Sequence, residues 1–441
     1  MKKLKKNLYS NFEKKLFNNY KFLKSEEKTL EIFQLQFRLC ALNESQIAST
    51  NLKKILKKRL RFRLVLKFFF YIYICLINLF ISKPKIFFRS NTMSTISENI
   101  LKSEFAKKNI YTIGTLSFKN KFLHYLKYIY SNTWYYDLCE RTSEIFFILS
   151  KYKCDNSKKL IKLSQSKKFC LDIKKALITD CDFVKKVQNK INLQGVILNN
   201  DQTPFAYIFI EVANKSLIKT AVLAHGNFRN PFMVSVLPLR AQKIYVWSKK
   251  SETLINKNLK SRKAEFLKGI KYGIIQPKKK PKNILFVASP YKTIIKSNKN
   301  KIFNNILKTL KLNSSPGRLV YCAHPEDYRN NVLKRLLIKN QIIYSKNSAY
   351  YEASNARVVL GSHSSFLFES KACGIPTFQI KDICVHPKRQ KDESVKQIRF
   401  AQLINKKIFK RDFSQKREFL KLDYKKIINF FSNNKKLISS I

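Results

Sequence analysis

Three of the five histidines in this chain stand directly after, or within the turn that follows, a short apolar run. His225 precedes Gly226 after the run 220–224, and His324 precedes Pro325 after 319–323. His363 lies in the turn Gly361-Ser362-His363-Ser364-Ser365 that follows 357–360. Ser289 and Asp201 hold equivalent positions after 283–288 and 195–200. A neutral imidazole, or a carboxylate of raised pKa, can take the proton of an attacking hydroxyl, so Asp201 and His225 are rival candidates for a general base. The turn 361–365 has the complementary chemistry. Glycine allows close backbone approach, and serine hydroxyls together with the amides that open a helix can hold a phosphate. An ordinary N-cap at Ser364 accounts for only one of these serines. His324 is placed to donate a second hydrogen bond to the same phosphate. Glu369 stands four residues past Ser365, one turn along the same helix face, where a carboxylate can accept ribose hydroxyls.

Such residues act together only if the fold carries them to one place. From 283 onward apolar runs and helical stretches alternate strictly: strand 283–288, helix 300–312, strand 319–322, helix 327–339, strand 342–344, helix 349–354, strand 357–360, helix 364–373, strand 377–380. This alternation predicts a parallel sheet covered by helices on both faces. Ligands of such sheets bind outside the carboxyl ends of the strands, where the candidate residues stand. A second set precedes it, with strands at 195–200, 220–224 and 243–247, helices at 205–217 and 252–259, and further strands expected at 86–89, 110–115 and 145–149. The Lys- and Pro-rich stretch 276–282 reads as a linker. The layout is therefore a basic N-terminal segment over 1–83, a Rossmann-like domain over 84–275 and a second Rossmann-like domain over 276–441, with a cleft between the two domains. Neither a G-x-G-x-x-G dinucleotide site nor a P-loop is present.

The chain is 441 residues long, 45% apolar and 13% aromatic, which excludes a disordered protein. Lys and Arg number 88 against 28 Asp and Glu, a net charge of +60. That balance implies an anionic partner, or else a lysine excess imposed by an A+T-rich genome. Nine cysteines with no C-x-x-C pair read as reduced thiols rather than disulfides or a zinc site. The first thirty residues contain no uninterrupted apolar run, so no cleavable signal peptide is expected and the bulk of the chain is expected in the cytoplasm. Seven basic residues and no acid lie between Lys53 and Arg63, followed by the apolar, aromatic-rich segment 64–81. At eighteen residues, with Lys67 and Asn78 inside it, that segment is short for a membrane span. It suits the interface of an anionic membrane or a buried element of the first domain, and a transmembrane helix less well.

At His324-Pro325 and Ser364-Ser365 the chain resembles the His-Pro and Ser-Ser motifs of bacterial sialyltransferases and polysialyltransferases. These are GT-B glycosyltransferases that use CMP-activated nonulosonic acids to build lipooligosaccharide and capsule. The resemblance runs over 195–380 and is continued by Phe366, Glu369, Gly374 and Pro376. It implies a GT-B-like α/β fold, a CMP-sugar donor, and a glycan or glycolipid acceptor. His324, Ser364 and Ser365 would then hold the CMP phosphate and Glu369 the nucleotide sugar, with Pro325, Gly361, Ser362 and His363 completing the donor site. The family's acidic motif, an Asp/Glu pair followed by glycine, corresponds here to Asn199-Asn200-Asp201-Gln202, which keeps one acid and lacks the glycine. The CDP-glycerol glycerophosphotransferases of teichoic acid synthesis are also similar, and in their pattern His225-Gly226 supplies the base. UDP-sugar GT-B enzymes are a further alternative. Neither reading places a D-x-D cluster among its candidate site residues, so no metal or other cofactor is expected. A nucleic-acid-binding protein is the competing class, but no RNA or DNA motif is present and that class leaves the strand-end histidines unexplained.

Peripheral attachment to the inner face of the cytoplasmic membrane through 53–81 has a direct check. Each basic residue near an anionic leaflet contributes about 1 kcal/mol, so neutralising Lys53, Lys54, Lys57, Lys58, Arg59, Arg61 and Arg63 together is expected to weaken co-flotation with anionic vesicles, and a neutralised chain that binds as well as the parent overturns the attachment.

Overall fold

In the computed structural model the described residues are 142–190, 193–198, 203–224, 240–259, 263–267, 275–296, 298–324, 327–328, 330–345, 347–362, 364–384, 395–404 and 425–432, the short stretches 85–88 and 111–113, and the single positions 32, 35, 36, 40, 69 and 72. The chain divides into two compact units. The first comprises 1–44, 50–267 and 423–441, and the second 45–49 and 268–422.

The first unit is built on strands β1 (Lys85–Phe88), β2 (Tyr111–Ile113), β3 (Leu193–Leu198), β4 (Lys219–Leu223), β5 (Lys243–Val246) and β6 (Ala264–Phe266), in the order β2-β1-β3-β4-β5-β6. Every pairing is parallel. Val196 to Leu198, Ala221 to Leu223 and Ile244 to Val246 are buried without alternation, as in a sheet covered on both faces. Helix Pro204–Lys215 starts where Thr203 accepts the Ala206 N–H at 3.2 Å and Pro204 fills its first turn, a position where the missing N–H costs nothing.

The run 145–149, expected as a strand, is helix Glu144–Lys151. Its five consecutive apolar residues carry no periodicity that separates strand from helix. Capping decides between them. Asp180, 1% exposed, accepts the Ser143 hydroxyl at 2.6 Å and the N–H groups of Glu144 at 2.7 Å and Ile145 at 3.0 Å. Asp180 itself lies on the long helix Lys167–Lys190.

Helix Lys425–Ser432 belongs with the first unit, not with the second domain to which its place in the sequence assigns it. Ile427, Ile428 and Phe431 are buried. Lys219 Nζ donates to the Phe430 carbonyl at 2.6 Å, and Lys426 Nζ to the Phe266 carbonyl at 3.1 Å.

The second unit holds β7 (Asn283–Val287), β8 (Leu319–Cys322), β9 (Ile343–Ser345), β10 (Ala356–Gly361), β11 (Thr377–Ile380) and β12 (Lys396–Ile398), in the order β12-β11-β10-β7-β8-β9. These strands too are all parallel. β7 shows why the sheet is covered twice. Ile284 and Phe286 enter one apolar cluster with Phe303 and Tyr321, while Leu285 and Val287 enter another with Val359, Phe366 and Leu367. The Phe286 and Tyr321 rings stack at 5.4 Å between centroids. Two six-stranded parallel sheets with covering helices are the α/β architecture expected. β6, β12 and the short helices Tyr291–Lys296 and Phe400–Ile404 are additions to it.

Among the described residues no helix is long and apolar enough to cross a membrane. Of 64–81 only Phe69 and Ile72 are described, both helical and exposed. The rest of that segment, and 53–63, lie outside the described residues.

Asp180→Ala removes three hydrogen bonds to a buried carboxylate, two of them from N–H groups in the first turn of helix Glu144–Lys151. It is expected to cost about 2–4 kcal/mol, read as a lower urea midpoint at unchanged slope.

Candidate functional site

β10, β7 and β8 lie side by side in that order, and the residues that follow them share one edge of the second unit's sheet. Gly361 pairs with Val287, and Val287 with Cys322. The Ala288 N–H extends this register to the Cys322 carbonyl at 3.0 Å. Continued past the strand ends, the register sets Ser362 level with Ala288 and Ala323, and Ser289 level with His324. Strands are about 4.8 Å apart, so the ends of β8 and β10 are about 10 Å apart across β7. His324 and the 361–364 turn, some forty residues apart in sequence, thus open onto the same rim.

The rim is held by buried polar contacts. The Ser289 and Ser362 hydroxyls hydrogen-bond to each other, and both residues are buried. The Ser362 carbonyl accepts Gln379 Nε2 at 2.6 Å and the Cys384 thiol at 3.0 Å. Asp327, also buried, joins the loops after β7 and β8: its N–H donates to the His324 carbonyl at 2.8 Å and its Oδ2 accepts the Tyr291 N–H at 2.7 Å. His324 is half-buried at this junction.

Gly361 meets a stricter demand than access for a ligand. A Cβ there would lie 2.6 Å from the Val287 carbonyl oxygen and 3.2 Å from Leu367 Cδ2. The close approach that needs glycine is therefore to the chain's own β7 and to helix Ser365–Ala372. Ser364 N-caps that helix, accepting the Phe366 N–H at 3.2 Å. A hydroxyl has one donor and two acceptor positions, so capping leaves the Ser364 O–H able to donate to an anion. The Phe366 and Leu367 N–H groups are taken by the Ser364 hydroxyl and carbonyl, so at this rim the capped helix offers the positive end of its dipole. Glu369 is 3% exposed and accepts the Tyr350 hydroxyl at 2.5 Å. The Tyr350 ring in turn packs edge-on against Phe366 at 4.8 Å. The carboxylate expected to face a ribose is thus anchored beneath the rim by a phenol, although a carboxylate has further lone pairs to offer.

The side chain of Ser365 is not described, and Pro325, His363, Asp201 and His225 lie outside the described residues. In the first unit the strands that precede Asp201 and His225, β3 and β4, are adjacent and parallel, with Leu198 opposite Val222. Among the described residues no group of three His, Cys, Asp or Glu side chains is arranged to hold a metal ion. Burial pushes the Cys322 thiol up to about 11, and it points to the Asn347 carbonyl at 3.6 Å. It stays protonated near neutral pH and offers no thiolate nucleophile.

Ser289 is among the polar strand-end residues read from the sequence, whereas Asp327 was not singled out there, because its partner at Tyr291 is 36 residues away. Tyr350 and Gln379 carried no such signal, because their partners are 19 and 17 residues away.

No protein-family model matches the chain, and no curated protein sequence does. Solved structures are similar over most of its length. The MnaA–UDP complex of Staphylococcus aureus has a TM-score of 0.48 at 13% identity, covering 81% of this chain and 98% of that one. UDP-GlcNAc 2-epimerase of Neisseria meningitidis bound to UDP-GlcNAc has a TM-score of 0.49 at 14% identity, covering 80% and 100%. MurG of Acinetobacter baumannii has a TM-score of 0.43 at 9% identity, covering 81% and 100%. At these values the likeness carries no inference about ligand or activity.

Gly361→Ala forces a methyl group onto the Val287 carbonyl. The expected loss is about 1–3 kcal/mol of stability, measured by thermal or denaturant unfolding.

Proposed function

We propose that the chain is a glycosyltransferase that takes its sugar from a nucleotide donor, with the donor phosphate held at the β8–β7–β10 rim. The observation that supports this reading is the convergence of hydrogen-bond donors there: His324 level with Ser289, and Ser364 at the head of helix Ser365–Ala372. A phosphate oxygen accepts hydrogen bonds only, and it gains from the positive end of a helix. Imidazole and the positive end of a helix can stabilise the charge that builds on a departing phosphate without a metal. Pro325, Gly361, Ser362, His363, Ser365 and Glu369 complete the proposed donor site. Asp201 or His225 would take the proton of the acceptor hydroxyl.

The finer assignment, a CMP-activated nonulosonic acid passed to a surface glycan or lipid-linked acceptor, is supported by the His-Pro and Ser-Ser resemblance. An acceptor carried on lipid suits attachment of the basic segment 53–63 to an anionic membrane.

Thermal-shift measurements with CMP, CDP, UMP, UDP and GDP test the donor. A ligand at a hundred times its Kd stabilises by about 2.7 kcal/mol, and selective stabilisation by CMP is expected. Selective stabilisation by UDP reassigns the donor, and no stabilisation by any nucleotide overturns the transferase reading. His324→Ala is expected to weaken CMP binding by roughly 10- to 150-fold, the loss of one hydrogen bond to a charged group, with the melting temperature nearly unchanged. Ser364→Ala should weaken binding similarly and also lose about 1 kcal/mol of stability with the helix cap.

A further inference from the structure

Helix Lys167–Lys190 is 24 residues long, about 36 Å at 1.5 Å per residue. Its inner face is committed to the first unit. Ile173, Leu177, Val184 and Val187 are buried, Asp180 caps the neighbouring helix, and Gln188 Nε2 donates to the Phe209 carbonyl at 3.0 Å.

The outer face has an ordered composition. Leu171 and Ile178 are 55% and 53% exposed. At about 100° per residue they fall within about 20° of one line along the helix. Lys167, Lys174 and Lys185 lie on one side of that line and Lys168, Lys175 and Lys186 on the other, all exposed and all within about 60° of it. The one acid on this exposed face is Asp182. Six lysines less one aspartate give the face a charge of +5.

What sets this face apart is the arrangement, with Leu171 and Ile178 on the line between two rows of lysines and Asp182 within about 30° of the same line. Nucleic acid would pair with the lysines and leave Leu171 and Ile178 in water. An anionic bilayer takes both: the aliphatic line enters the acyl boundary while the lysine stems on either flank lift their ammonium groups to lipid phosphates.

We infer that the outer face of helix Lys167–Lys190 docks on an anionic lipid bilayer. This surface is independent of the transferase reading and distinct from 53–81.

The test is vesicle co-flotation with the full-length chain, carrying the neutralised 53–63 segment so that those charges do not mask the helix. The parent is expected to bind vesicles containing phosphatidylserine and not vesicles of phosphatidylcholine alone. Leu171→Ser/Ile178→Ser is expected to weaken that binding by about tenfold or more. Lys174→Gln and Lys185→Gln should each weaken it by about fivefold, and Asp182→Asn should strengthen it by about fivefold. An unchanged melting temperature for Asp182→Asn excludes misfolding as the source of the gain. A parent that does not bind, or a serine double variant that binds as well as the parent, overturns the proposal. Sensitivity to the lysine changes alone, with RNA bound equally well by parent and serine variant, would mark the face as a general polyanion site and overturn it too.

Discussion

How closely β10 lies against β7 governs the candidate site. At Gly361 the two strands and the helix that follows converge so tightly that one methyl group would meet the Val287 carbonyl and the Leu367 side chain. With that space kept clear, helix Ser365–Ala372 settles onto the strand pair, and Phe366 and Leu367 join the apolar cluster of Leu285 and Val287. The start of the helix, capped by Ser364, is thereby drawn to the rim, and Ser362 is brought to the Ser289 hydroxyl. Among the described residues, the positions of Ser289, Ser362 and Ser364 on that edge follow from strand register and the missing side chain at 361. None of it requires a ligand to assemble it.

A chain with 88 basic and only 28 acidic residues cannot pair most of its cations with carboxylates, and the structure shows what replaces such pairs. Lys299 donates to the carbonyls of Asp382 and Cys384 at 2.7 and 2.6 Å, and Lys219 donates to Phe430 in the last turn of its helix. In that last turn the helix dipole favours a cation. Burial lowers the pKa of both lysines, so backbone carbonyls hold cations that are partly withdrawn from water. Two acids have correspondingly structural tasks. Asp180 and Asp327 are buried and accept backbone N–H groups at the start of a helix distant in sequence. Such charge-assisted bonds are stronger than neutral ones, and each aspartate ties two separate elements together. At the rim, Asp327 sets the loop bearing His324 against the loop bearing Ser289.

The central strands were legible because an apolar run of four to six residues between turn signals, buried on both faces, has few other solutions once helices alternate with it. That logic also located the strand ends, and with them His324, Ser289 and the 361–364 turn. It failed where periodicity was silent. Residues 145–149 are apolar throughout, and the start of their helix is held by the Ser143 cap together with Asp180, 36 residues from the Glu144 N–H that it accepts. Helix Lys425–Ser432 was assigned by its position in the chain, yet its buried Ile427, Ile428 and Phe431 are covered by the first unit.

The sequence by itself therefore determined the α/β class, the parallel strands and which polar residues close them, since these depend on local hydrophobic pattern and turn chemistry. Only the tertiary structure decided that β7 separates β8 from β10, that Glu369 is anchored by Tyr350, and that Gly361 answers to the Val287 carbonyl. The physical reason is range. Pattern is read over a few consecutive residues, whereas strand order, buried hydrogen bonds and close backbone approach join groups that become neighbours only when the whole sheet has formed.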